Sequence, residues 1–179
     1  MKKITKRQIV WAVVIALILI ISLARQFTNE VQWIETVAYI IILLVAGGAY
    51  ELAIWLRTQN RMYRIAFRVG LVGALFLGWV SGAVGIIGSE NNPANLMYWA
   101  VPTVLLIGSL AARFRPRGMA YTLLTVALVQ VLIPVVALFI WPAQTSWGEA
   151  GVIGVLILNS LLAMFFFVSA WLFRHVSLS

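Results

Sequence analysis

The sequence lacks most of the side chains on which membrane enzymes rely. It contains no cysteine and no aspartate, which excludes thiol chemistry, iron–sulfur ligation and catalysis by an aspartate pair. The one histidine, His175, cannot build a bis-histidine haem or a histidine-rich metal centre within one chain. The only lysines are Lys2, Lys3 and Lys6, so no apolar segment contains a lysine for a buried Schiff base. We therefore expect no enzymatic activity, no cofactor and no metal site.

Apolar residues are in excess. Of the 179 residues, 63% are hydrophobic and 10% are charged, with a mean hydropathy of +1.02. A soluble domain is about half apolar and a quarter charged. A helix needs about 20 mostly apolar residues to cross a bilayer, and six segments meet or approach that length. They are 9–24, 34–56, 65–88, 96–112, 119–141 and 150–173. The sequence predicts one all-α domain over residues 1–179, a polytopic transmembrane helical bundle with six spans.

Charge predicts the orientation of these spans. Alternating six-span topology places 12 of the 13 Lys and Arg residues at one side of the membrane, with Arg25 as the exception. Four of the five Glu residues fall on the other side. Lys and Arg near span ends are retained on the cytoplasmic side. Both termini are therefore predicted to be cytoplasmic.

Residues 1–24 allow a second interpretation. A basic start, an apolar run and the small residues Ser22 and Ala24 are also typical of a secretory signal peptide. Cleavage would leave five spans. The apolar run is long for a signal peptide, so we expect this segment to be a retained span.

Four polar side chains are predicted to lie at membrane depth: Glu51, Arg68, Gln130 and Asn159. Such groups are expensive to bury in hydrocarbon and are candidates for function. We expect Glu51 and Arg68 to form a structural ion pair across the turn between spans two and three. The alternative is a Glu51 carboxyl coupled to proton or cation movement. Gln130 and Asn159 each need a partner, which predicts either a contact between helices or a small polar pocket.

A basic crown is predicted at the cytoplasmic face. Its members are Arg57, Arg61, Arg64, Arg113, Arg115 and Arg117. Contact with anionic lipid headgroups explains such a crown, and a phosphate-bearing ligand or an acidic partner is the alternative. Nucleic-acid binding is not indicated, because the excess charge lies at membrane flanks.

The predicted outer loop between spans three and four contains a second candidate set: Ser89, Glu90, Asn91, Asn92 and Asn95. Asn, Ser and Pro form turns and cap helices, which explains this composition without a ligand. The oxygen atoms would also suit a hard cation. One carboxylate supplies too little charge for tight binding, so we predict no metal site.

Small residues are concentrated in span three. They are Gly70, Gly73, Gly78, Ser81, Gly82, Gly85 and Gly88. Gly78 and Gly82 form a GxxxG pair, and Ser81 and Gly85 have the same spacing, which allows close approach of two membrane helices. The pattern predicts that span three is the central, tightly packed helix.

Two stretches resemble a known group of sequences. Val84–Tyr98 carries a VGIIGSE-NPANLMY pattern, and Ala112–Ala120 reads ARFRPRGMA. Both are similar to stretches in a family of small, uncharacterised bacterial multi-pass membrane proteins. The resemblance implies a multi-pass protein of the bacterial cytoplasmic (inner) membrane. It transfers no catalytic or binding residues.

Three functions are consistent with these features. We expect a non-enzymatic protein for small-solute binding or transport, supported by the polar groups at membrane depth. The alternative is an accessory or scaffold subunit of a larger membrane complex, with a membrane protein or a second copy of the chain as partner. A lipid-modifying enzyme using Glu51 or Glu90 with the basic crown is least favoured, because these two residues are predicted on opposite faces. The lipid bilayer is a partner in every case.

Overall fold

The computed structural model describes residues 5–27, 33–89, 91–140 and 147–178. Within these ranges all regular structure is helical, which confirms the predicted all-α fold. The α-helices are α1 (Lys6–Phe27), α2 (Trp33–Thr58), α3 (Arg61–Ala83), α4 (Ala100–Ala111), α5 (Pro116–Ile140) and α6 (Gly151–Val176). A 3₁₀ helix (Pro93–Trp99) leads directly into α4, and the two together form one span. The described chain thus has six helical segments that are long and apolar enough to cross a membrane.

The predicted boundaries are wrong around the third and fourth segments. The third was predicted to reach Gly88, but α3 ends at Ala83. Gly85 and Gly88 have φ angles of +76° and +69°, which glycine adopts readily and which are incompatible with a continued helix. The fourth segment starts earlier than predicted, at Pro93, because the Asn92 side chain accepts a hydrogen bond from the Ala94 N–H and caps the 3₁₀ helix.

The chain forms two compact units, Met1–Gln59 and Asn60–Ser179. The first unit is a hairpin of α1 and α2. Gly47 on α2 faces the ring of Trp11 on α1, and a Cβ atom there would lie 3.3 Å from that ring. A small residue therefore lets the indole lie close to the α2 backbone.

The second unit contains α3 to α6. α5 packs against α6 and α4, and α3 packs against α6. Its core is built mainly from α5 and α6, with Leu123, Val126, Ile133, Leu162, Phe166 and Phe173 buried.

The centre of the second unit is formed by α5 and α6, and not by the third span as predicted. Of the small residues predicted to pack, Gly70 and Gly73 do so and Gly78 and Gly82 do not. α3 approaches α6 through Gly70 and Gly73, where added Cβ atoms would lie 2.8 Å from Ser169 Oγ and 2.7 Å from Phe165 Cβ. At Gly78 and Gly82 an added Cβ atom would have no neighbour within 4 Å. The close contact therefore lies in the first half of α3.

Long-range hydrogen bonds fix one end of the second unit. The Tyr63 hydroxyl donates to the Phe114 carbonyl over 2.7 Å, and its ring packs edge-on against Phe173 with centroids 4.9 Å apart. Phe114 and Arg113 have φ angles of +55° and +50°, so two non-glycine residues form the turn between α4 and α5 in the left-handed region. Ser169 Oγ donates to the Ala66 carbonyl over 2.7 Å.

Candidate functional site

A cavity of about 500 Å³ lies within the second unit, between α3 and the segment formed by the 3₁₀ helix and α4. We call it the α3–α4 cavity. Its size falls within the range of small-molecule sites in proteins. Its apolar lining consists of Ala74, Leu77, Leu96, Trp99, Val101, Pro102, Leu105 and Phe166. The ring of Phe166, from α6, is completely buried.

The α3 wall of the cavity exists because of its small residues. Gly78, Ser81 and Gly82 all line it. Their spacing places them on one face of α3. Gly78 and Gly82 are exposed, and a Cβ atom added at either would have no neighbour within 4 Å. The GxxxG pair thus leaves this part of α3 open at the cavity, where both glycines line the wall.

The cavity wall also carries hydrogen-bonding groups. Ser81 Oγ is buried and has no hydrogen-bond partner in the described part of the chain. An unpaired buried hydroxyl is costly unless another group satisfies it. The Tyr98 side chain also lines the cavity, and its hydroxyl donates to Asn159 Oδ1 over 3.0 Å. Asn91 and Asn92 lie at the outer-loop side of the lining.

Tyr98 belongs to a buried polar cluster of three side chains, the other two being Gln130 and Asn159. Gln130 Nε2 donates to Asn159 Oδ1 over 2.9 Å, and Asn159 Nδ2 donates to the Val155 carbonyl over 2.8 Å. Gln130 Oε1 has no partner among the described residues. The two amides thus contact each other between α5 and α6. A contact between helices was one of the two predicted arrangements, the other being a small polar pocket. The cluster ties the 3₁₀ helix, α5 and α6 together.

Sequence reasoning missed Ser81 and Tyr98. Ser81 falls between the two glycines, where its small size also suits close packing of helices. Tyr98 stands among residues typical of an interfacial belt. The detectable signal was the position of Ser81 on the face of the GxxxG pair, because a hydroxyl on a glycine face is well placed to meet a bound group.

The outer-loop candidates have mainly structural contacts. Asn95 Oδ1 accepts hydrogen bonds from the N–H groups of Ile86 and Ile87, at 3.1 and 2.9 Å. Asn95 Nδ2 donates to the Ser89 carbonyl over 2.8 Å. Asn95 therefore holds the loop onto the 3₁₀ helix, and Asn92 caps that helix. Glu90 lies outside the described residues.

Glu51 has partners other than the predicted one. Arg7 Nε and Trp11 Nε1 both donate to Glu51 Oε1 over 2.7 Å, which joins α1 to α2 within the first unit. The predicted partner was Arg68. The 4-residue spacing of Arg7 and Trp11 on one face of α1 was the signal for the observed contacts. A carboxylate held by two donors is well suited to fixing the hairpin.

The arginines of the basic crown belong to different elements of the chain. Arg57 lies in the last turn of α2, which ends at Thr58, so one helix does not run through into α3. Arg61, Arg64 and Arg68 line a shallow groove of about 300 Å³ on α3. The turn between α4 and α5 contains Arg113 and Arg115, and Arg117 lies in the first turn of α5.

No protein-family model, curated protein or solved structure matches this chain. The resemblance noted from the sequence stays a prediction. Within the described residues, no group of three or more His or Glu side chains is placed to hold a metal ion. The walls of the α3–α4 cavity are mainly apolar, and the unpartnered Ser81 hydroxyl belongs to one of them.

Proposed function

We propose that this chain is a non-enzymatic integral membrane protein that binds a small solute in the α3–α4 cavity, as a binding or transport protein. The observation that carries the proposal is the unpartnered Ser81 hydroxyl on a cavity wall opened by Gly78 and Gly82. The location that we propose is the bacterial inner membrane, with both termini in the cytoplasm.

The lining indicates the character of the solute. Apolar side chains dominate the walls, so most of the bound molecule is expected to be apolar. Ser81 supplies a hydroxyl that can donate or accept one hydrogen bond. We therefore expect a largely hydrophobic solute with one polar group placed at the level of Ser81. We expect that group to be uncharged, because no charged side chain among the described residues lines the cavity.

Native mass spectrometry of protein extracted gently from its own membrane tests this proposal. The protein is expected to retain a small molecule in stoichiometric amount. Gly78→Leu is expected to abolish retention, because the leucine side chain would project into the cavity. Gly48→Leu is the matched control, since an added Cβ at Gly48 also has no neighbour within 4 Å but Gly48 does not line the cavity.

Two results would contradict the proposal. Equal retention by Gly78→Leu and Gly48→Leu would place the molecule elsewhere. A stoichiometric partner polypeptide without any small molecule would favour an accessory or scaffold subunit instead.

A further inference from the structure

We propose that a second site, a groove between α5 and α6, binds one anionic phospholipid. The groove has a volume of about 450 Å³. We call it the α5–α6 groove and define it by Arg117, Tyr121, Leu124, Phe167, Trp171 and Arg174. None of these residues lines the α3–α4 cavity, so the proposal is independent of solute binding.

Charge in the groove favours an anion. Arg117 lies in the first turn of α5 and Arg174 in the last turn of α6, so both guanidinium groups belong to the same end of the unit. No Glu residue lines the groove, and neither arginine has an ion-pair partner in the described part of the chain. Two cations facing one groove repel each other, and a bound phosphate would relieve that repulsion.

The helix dipole adds to this preference. The start of α5 carries partial positive charge, which disfavours Arg117 there and favours an anion beside it. The end of α6 carries partial negative charge, which favours Arg174. A phosphate bound by Arg117 would therefore offset the repulsion between this guanidinium group and the positive end of α5.

The walls of the groove indicate a lipid rather than a free phosphate ion. Leu124 lies seven residues beyond Arg117, about 10 Å further along α5. Phe167 lies seven residues before Arg174 on α6, at the matching depth. The groove thus runs from two guanidinium groups onto apolar side chains. Tyr121 and Trp171 stand between these levels, where amphipathic rings meet the headgroup region.

The test is native mass spectrometry of the delipidated full chain titrated with phosphatidylglycerol, with phosphatidylcholine as the neutral lipid. Wild-type protein is expected to retain one phosphatidylglycerol preferentially. Arg117→Gln combined with Arg174→Gln is expected to weaken that retention by about tenfold or more, because two charge-assisted hydrogen bonds are lost. Arg61→Gln combined with Arg64→Gln removes the same charge from the groove on α3, which Ile65 lines as its one apolar residue. This variant is the matched control, and a smaller loss is expected because both arginines and the apolar walls of the α5–α6 groove are kept.

A second variant tests the apolar part of the groove. Ala120→Phe places a ring in the groove lining while keeping both arginines. It is expected to reduce retention of phosphatidylglycerol, with unfolding measured in parallel to confirm an intact fold.

Four results would overturn the proposal. They are equal loss in the two double arginine variants, equal retention of the neutral lipid, and displacement of the lipid by glycerol phosphate at equal concentration. The fourth is a stoichiometric polypeptide, in place of lipid, that is lost in the Arg117→Gln, Arg174→Gln variant.

Loss of solute retention in Gly78→Leu with unchanged lipid retention would separate this site from the α3–α4 cavity.

Discussion

The Tyr98 hydroxyl donates a hydrogen bond to Asn159 Oδ1 over 3.0 Å, joining two residues that are 61 positions apart in the chain. Both side chains are buried, at 3% and 1% exposure. The bond connects the wall of the α3–α4 cavity to the middle of α6. The position of Tyr98, and with it the shape of the cavity, therefore depends on a partner outside the lining.

The polar cluster is expected to stabilise the fold measurably. Tyr98→Phe removes one hydrogen bond and should lower the free energy of unfolding by about 1 kcal/mol. Asn159→Ala leaves Tyr98 and Gln130 without their shared acceptor and opens a void, so a loss of about 2–4 kcal/mol is expected. Unfolding in mixed micelles measures both. Ser160→Ala is the control, because Ser160 is exposed and bonds only to the Leu156 carbonyl of its own helix. Equal losses in Asn159→Ala and Ser160→Ala would contradict a stabilising role of the cluster.

The two halves of α3 should respond oppositely to alanine. Gly73→Ala places a Cβ atom 2.7 Å from Phe165 Cβ, and overpacking of this kind costs about 1–3 kcal/mol. Gly78→Ala meets no neighbour and removes a flexible residue from a helix interior, so a gain of up to about 1 kcal/mol is expected. Unfolding of the two variants side by side tests this difference. A larger loss in Gly78→Ala than in Gly73→Ala would show that the GxxxG face packs tightly after all.

This contrast shows what the sequence reveals about the fold. Hydropathy predicts six spanning segments because span length depends only on apolar composition over about 20 residues. Hydropathy does not predict which glycines of α3 contact another helix and which line a cavity, because Gly73 and Gly78 are both glycines within the same apolar segment. The difference arises from the side chains that α6 presents to each, Phe165 being one.

The polar residues show the same limit. Gln130 and Asn159 were identifiable because an amide in hydrocarbon needs a partner. The partner of Glu51 was predicted on the adjacent turn, as Arg68, but the carboxylate bonds to Arg7 and Trp11, 44 and 40 residues away. Reasoning from the sequence favours partners that are close along the chain. It does not show which residues of two helices in a hairpin lie opposite each other.

The turn between α4 and α5 should depend on a single hydroxyl. Tyr63→Phe removes the hydrogen bond to the Phe114 carbonyl and is expected to cost about 1 kcal/mol. Limited proteolysis should also cut faster near Arg113 and Arg115, because the left-handed turn loses its tie to α3. Tyr121→Phe is the control, because Tyr121 is exposed and its hydroxyl has no such bond. Unchanged cleavage in Tyr63→Phe would show that the turn is held by its backbone alone.

Glu51 is expected to be structural. Glu51→Gln keeps an oxygen that can accept from Trp11 and removes only the attraction to Arg7, which is largely exposed. The amide oxygen can also accept from Arg7 Nε, so both hydrogen bonds to this side chain can persist. The variant should therefore retain its bound small molecule at the wild-type level and melt close to the wild-type temperature. Loss of the molecule from a folded Glu51→Gln protein, with Glu35→Gln unaffected, would instead make this carboxyl part of the solute site.

Ligand-dependent melting tests solute binding in the α3–α4 cavity most directly. Delipidated wild-type protein and Gly78→Leu are each melted with and without the small-molecule fraction extracted from the native membrane and freed of phospholipids. A ligand present at 100 times its Kd stabilises the folded state by about 2.7 kcal/mol. We predict a clear rise in the melting temperature of the wild type and none for Gly78→Leu. An equal rise in both proteins, or no rise in either, would contradict solute binding in this cavity.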